Sequence, residues 1–148
     1  MTKHDYYIGI ALAVAKKSTC LKKQYGAVIV KDDEVIATGY NDTCRKEPHC
    51  TTCTKPSGDG DIKEYTACPA VHAEMNAIIS ASRKEMLGAD LYLASFDTAT
   101  GDENIDAQPC EICLRLIKNA GIDRVINHTG VIYYRWEDGI LRKGGPLK

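Results

Sequence analysis

Ile8, Ala11, Leu12 and Ala15 recur at helical spacing and predict a first amphipathic helix ending near Lys17. Thr2, with Asp5 three residues later, supplies a capping arrangement at its start. Gly26-Ala27-Val28-Ile29-Val30 and Val35-Ile36-Ala37-Thr38-Gly39-Tyr40 are short β-rich runs joined by Lys31-Asp32-Asp33-Glu34, the pattern of a hairpin. A second helix is expected from Val71 to about Glu85, with Met75, Ile78, Ile79 and Ser82 on its core face. Gly88 precedes a third strand, Ala89-Asp90-Leu91-Tyr92-Leu93-Ala94. Pro109 opens a third helix through Leu114, Ile117 and Ala120, and Gly121 closes it. Asp123-Arg124-Val125-Ile126-Asn127 reads as a fourth strand and Val131-Ile132-Tyr133-Tyr134 as a fifth. Strands alternating with helices in the second half predict a layered α/β arrangement with a parallel crossover between strands three and four, and the hairpin at the front makes the five-stranded sheet mixed.

Two stretches break the pattern. Residues 41–69 have little periodicity and hold three prolines, four cysteines and two glycines, so they read as a long Cys-rich loop of functional or locally stapled kind. Residues 95–108 are a polar loop carrying Asp97, Asp102, Glu103 and Asp106, carboxylates that would repel a phosphate.

The length of 148 residues fits one domain spanning residues 1–148, with no linker or repeat to divide it. Nineteen basic against twenty acidic residues give a net charge of −1, which provides no overall attraction to duplex nucleic acid or to a membrane surface. No apolar run approaches the ~18 residues of a membrane span. The start, Met1-Thr2-Lys3-His4-Asp5-Tyr6, lacks the apolar stretch of a secretory signal, and a cytoplasmic location is expected. Seven cysteines are many for a chain in a reducing compartment, and their odd number favours metal ligation or catalysis over disulfides.

His72-Ala73-Glu74 and Pro109-Cys110-Glu111-Ile112-Cys113 carry the chemistry. One imidazole and two thiolates are good zinc ligands, and three protein ligands leave the fourth tetrahedral position open for water. Bound zinc lowers the pKa of such a water to ~7. Cys110 and Cys113, three apart, share a helix face, whereas His72 and Glu74, two apart, would diverge in mid-helix. The pair works together only if His72 stands at the very start of its helix, a boundary that Pro69 upstream permits. Cys110 follows Pro109 at another helix start. Either motif alone has a bland reading, a satisfied histidine or a pair of buried thiols; together, in this order, they resemble the zinc deaminase signature, which implies Glu74 as general acid and base.

The resemblance goes further than the signature. Ala15-Lys16-Lys17-Ser18-Thr19-Cys20, Gly26-Ala27-Val28-Ile29-Val30, Thr38-Gly39-Tyr40-Asn41, His72-Ala73-Glu74-Met75-Asn76-Ala77-Ile78 and Asn119-Ala120-Gly121-Ile122-Asp123-Arg124-Val125 resemble the deoxycytidylate (dCMP) deaminases. The similarity covers residues 6–128. It implies the cytidine-deaminase-like three-layer α/β/α fold, hydrolysis of dCMP to dUMP and ammonia, and a homo-oligomer, dimer or hexamer. It also implies that Asn41 contacts the nucleotide sugar and that the main chain at Ala73 helps hold the base.

Cys50-x-x-Cys53 is a knuckle spacing, and Cys68 follows fifteen residues later. Together they predict a second, closed zinc site that orders the loop, with Cys20, Cys44 or His49 as the fourth ligand. The resemblance singles out Cys20. Lys16, Lys17, Lys23, Arg45 and Lys46 are candidate phosphate contacts, although charge runs are usually solvated faces. Tyr133-Tyr134-Arg135-Trp136 is a candidate base-stacking run, although such aromatics are more often core or interface. Other functions remain open at this point: deamination of a free nucleoside or base, deamination of an RNA base, or a zinc-stabilised binding module. The acidic balance disfavours RNA, and Glu74 disfavours a purely structural metal.

Overall fold

A computed structural model describes residues 1–53 and 67–144. The chain begins with α1 (Lys3–Ala15), started by a complete capping box between Thr2 and Asp5. Strands β1 (Lys23–Lys31) and β2 (Glu34–Tyr40) form the expected hairpin. Its two turn residues, Asp32 and Asp33, both have positive φ, which suits the right-handed twist of the strands and which aspartate tolerates. Short strands β3 (Asp42–Thr43) and β4 (Ala70–Val71) pair with each other, so the ends of the Cys-rich loop are held together. Then come α2 (Ala73–Ile79), α3 (Arg83–Met86), β5 (Asp90–Asp97), α4 (Glu111–Ala120), β6 (Arg124–Asn127), β7 (Gly130–Arg135) and β8 (Leu141–Lys143).

The main sheet runs in the order β2-β1-β5-β6-β7-β8. Every pairing is antiparallel except β5–β6, the expected parallel crossover. The bidentate bond of Arg124 to Asp90, 2.8 and 2.6 Å, joins residues that are also cross-strand partners and pins that register. The sheet has six strands, not five. The additional strand, β8, has three residues and follows a turn in which Gly139 adopts φ 81°. So short a strand shows no period-two signal, and only its pairing with β7 defines it.

Alternate residues of the central strands feed two cores. Ala27, Ile29, Leu91, Leu93 and Val125 face α2 and α4, and Val28, Val30, Tyr92, Ala94 and Ile126 face α1. This is the three-layer α/β/α arrangement. Two glycines set how closely the helices approach. A Cβ on Gly26 would collide with the α1 backbone at Ala11 and Ala15, and one on Gly39 with the α2 backbone at Ala73 and Ala77.

The second helix departs from expectation in length and in face. It ends at Ile79, and Ser82 starts a separate helical turn through a capping box with Glu85. Its buried residues are Ala73, Glu74 and Ala77, whereas Ile79 is 76% exposed and Ser82 is exposed. The reason is steric. The α2 backbone at Ala73 and Ala77 rests directly on Gly39, so the alanines face that strand, while Ile78 packs partly buried against the core as expected and Ile79 is turned to solvent.

Candidate active site

His72 is the N-cap residue of α2, with an extended backbone at φ −72° and ψ 155°, and its ring is not spent on capping. Cys110 is the N-cap of α4, and its Sγ accepts from the Cys113 N–H at 3.4 Å. The helix places Cys113 one turn further on, on the same side. The starts of α2 and α4 thus meet above the sheet. His72 Nδ1 lies 3.5 Å from Cys110 Sγ and 3.2 Å from Cys113 Sγ. Among the described residues this is the group of His, Cys, Asp and Glu whose donor atoms all lie within 4.8 Å of one another.

Glu74 sits in the first turn of α2 with 4% of its surface exposed. Burial pushes its carboxyl above the ordinary range, opposed in part by the His72 ring and by a hydrogen bond with Cys113. The hydrogen bond between the two sulfurs holds Cys110 down and pushes Cys113 up, and His72 adds to the depression at Cys110. A divalent cation would ionise both thiols, because the thiolate is the ligand form. One imidazole, two thiols of which one already favours the anion, and a buried carboxylic acid beside them fit zinc with an open position.

The chain belongs to the cytidine and deoxycytidylate deaminase zinc-binding family. The family's sequence model, described as the cytidine and deoxycytidylate deaminase zinc-binding region, matches residues 1–129. The deoxycytidylate deaminase of Mycobacterium phage D29 is 36% identical over 128 residues, covering 82% of this chain and 91% of that protein. That of Schizosaccharomyces pombe is also 36% identical over 130 residues, covering 84% of this chain but 36% of the yeast protein. The chain therefore spans nearly the whole phage relative and about a third of the yeast one. The dCMP deaminase from the cyanophage S-TIM5, in apo form, superposes with a TM-score of 0.61 at 25% identity over 83% of this chain and 79% of that one. The same enzyme in complex with dCMP and dUMP has a TM-score of 0.57 at 23% identity and shares the fold. Family membership and the His/Cys/Cys donor set together mark a zinc deaminase.

The remaining candidate residues fall in several places. Ala73 follows His72, is fully buried and packs on Gly39. Asn41 is 8% exposed, and its side chain clasps β1: Oδ1 accepts from the Tyr25 N–H at 2.8 Å, and Nδ2 donates to the Lys23 carbonyl at 2.9 Å. One lone pair and one N–H of that amide remain for a further partner. Cys20, Cys50, Cys53 and Cys68 line one small cavity of about 30 Å³ beside Thr19 and Asp42. Burial and the three other thiols push the Cys50 thiol up. Cys44 is exposed, and the His49 ring is engaged with Asp42 and Thr19.

Three carboxylates of the acidic loop are engaged in holding it. Asp97 caps the turn at Ala99 and Thr100, Glu103 pairs with His128, and Asp106 accepts from Asn127 and Gln108. Among the phosphate candidates, Lys16 lies over the Phe96 ring at 3.7 Å. Tyr134 stacks on Trp136, centroids 5.0 Å apart, with Arg142 against the indole. Two asparagines matter that periodicity did not single out. Asn76 ties α2 to β2 by donating to the Tyr40 carbonyl at 2.8 Å. Asn127, at the end of β6, is 1% exposed. A polar residue closing the apolar run Val125-Ile126 is the one sequence signal that could have marked it.

Proposed function

We propose that the protein catalyses hydrolytic deamination of a cytosine nucleotide, dCMP to dUMP and ammonia. The observation that carries this reading is the meeting of the His72, Cys110 and Cys113 donor atoms within 4.8 Å of one another, beside the buried acid Glu74. The relatives from Mycobacterium phage D29 and S. pombe, both named deoxycytidylate deaminase, support dCMP as the substrate.

His72, Cys110 and Cys113 would hold the metal, and zinc bound there supplies Lewis-acid chemistry that makes water acidic near neutrality. Glu74 moves the protons. It takes one from the attacking water and delivers it to N3 of the pyrimidine ring, then takes the second from the hydroxyl so formed at C4 and passes it to the amine, which leaves as ammonia while the C4 carbonyl forms. Burial suits it to this work, since a carboxyl raised above its ordinary range takes up and releases a proton nearer to neutral pH. The main chain at Ala73 holds the base, and the spare lone pair and N–H of Asn41 contact the sugar.

A second, structural zinc is held by Cys20, Cys50, Cys53 and Cys68, supported by the shared cavity these four thiols line. It would order the loop that the β3–β4 pairing closes. The protein acts in the cytoplasm as one catalytic domain and as a homo-oligomer. No helix among the described residues is long and apolar enough to cross a membrane.

Ammonia release from dCMP, CMP, dCTP, cytidine, cytosine and guanine tests the reading. dCMP should give the highest kcat/KM. Turnover of a free base alone, or of none of the panel, would overturn it.

A further inference from the structure

Asn127 stands at the end of β6 with its amide fully committed. Its Nδ2 donates to the Ala107 carbonyl at 3.0 Å and to Asp106 Oδ1 at 3.1 Å. Its Oδ1 accepts from the Thr129 N–H at 2.9 Å and the Thr129 hydroxyl at 2.6 Å. One side chain therefore joins two pieces of irregular backbone, the β6–β7 turn through its oxygen and residues 106–107 through its nitrogen. Residues 106–107 are the last of the acidic loop before Gln108, Pro109 and Cys110.

The chain reaches Cys110 out of an irregular segment, residues 98–108, with no helix or named strand to fix its direction. What fixes it is local. Ala107 is fully buried in the core under α2 and α4, Gln108 Nε2 donates to Asp106 Oδ1 at 2.9 Å, and Asn127 grips both residues from the sheet. Pro109 has its φ locked by the ring, so the link from Ala107 to Cys110 has one fewer soft dihedral. A shift at Ala107 is thus passed on to the sulfur. Partners that orient a metal ligand typically alter metal affinity by ~10- to 100-fold when removed.

We propose that Asn127 is a positioning residue for Cys110, holding the start of α4 where its sulfur can share a metal ion with His72 and Cys113. This rests on the reading of those three residues as zinc ligands. The two ends of the amide have separable jobs. Asn127→Asp keeps the acceptors for Thr129 but removes both donors to the loop and sets a carboxylate against Asp106. Thr129→Val loosens the turn while leaving the loop bonds in place.

The test uses the full chain and follows zinc transfer to a chelator, together with the ligand-field spectrum of the cobalt-substituted protein. Metal analysis of the wild type comes first, and a protein without zinc at His72, Cys110 and Cys113 would overturn both the site reading and this inference. The release phase to follow is the one that Cys110→Ser removes. Asn127→Asp should speed that phase tenfold or more and alter the cobalt bands at temperatures where the fold is intact. Thr129→Val should leave both within twofold of the wild type. The double variant Asn127→Asp/Asp106→Asn, which restores a donor and acceptor across the contact, should return release towards the wild-type rate. Wild-type release and an unchanged spectrum in Asn127→Asp would overturn the proposal, as would equal effects of Thr129→Val. Neither readout involves dCMP, so the inference can fail while the substrate reading stands, and the reverse.

Discussion

Gly39 in β2 lies against the carbonyl of Ala73 in α2, so close that no Cβ fits between them. Ala73 follows the metal-ligand candidate His72, so the absence of a side chain on one strand sets how low the start of α2 rides on the sheet.

Gly39→Ala should therefore cost stability and activity together. Overpacking of this kind typically costs ~1–3 kcal/mol, and here the obstacle is backbone rather than a flexible side chain. Gly9→Ala is the control, since a Cβ at Gly9 meets nothing within 4 Å. In the exposed interior of α1 it should stabilise by about 0.8–1 kcal/mol. Urea denaturation of both variants measures the contrast, and equal stability of Gly39→Ala and the wild type would refute the close contact.

Glu74→Gln should remove turnover while sparing zinc and fold. The amide keeps the shape in its buried place but cannot relay a proton, and loss of such a group typically costs ~100- to 10,000-fold in rate. The assay is ammonia release alongside metal analysis. Activity within tenfold of the wild type would reject the role given to Glu74.

Zinc analysis should find about two ions per chain if the four thiols around the small cavity hold a metal. Cys53→Ser should lower this to about one, because a neutral hydroxyl replaces thiolate poorly. Melting temperature should fall more than activity per folded molecule, since a closed site contributes to folding rather than to chemistry. One ion per chain, unchanged by Cys53→Ser, would leave these thiols without a metal.

Asn41→Ala should act on two levels. It removes the bonds that the Asn41 amide makes with the Tyr25 N–H and the Lys23 carbonyl, at a cost of about 1–3 kcal/mol. If the amide also meets the sugar, KM for dCMP should rise at least tenfold while kcat falls less. A KM within twofold of the wild type would confine Asn41 to its structural clasp.

The chemistry was legible in the sequence because its requirements are local. A cysteine pair three apart must share a helix face, and His72 and Glu74, two apart, can serve one site only from a helix start. Both conditions could be stated from spacing alone, and the structure has His72 and Cys110 as N-cap residues. The first helix, the hairpin and the parallel crossover were legible for similar reasons: Thr2 and Asp5, Asp32-Asp33, and alternating apolar runs are signals within a few residues of one another.

Tertiary structure decided the rest. Spacing put Ile79 on the core face of α2, but the close approach of the helix backbone to Gly39 turns Ala73 and Ala77 to the strand and leaves Ile79 exposed. The strand β8 exists because β7 offers it an edge. The carboxylates of residues 97–106 look from the sequence like a field against phosphate, yet three of them are bound to the loop's own turn, to His128 and to Asn127. Asn127 reads as the end of an ordinary strand until its amide is seen to span the β6–β7 turn and the approach to Cys110. Periodicity and spacing report which face a residue takes on its own element. Which backbone lies opposite, and how near, depends on contacts between segments far apart in the chain, and those are settled only when the layers pack.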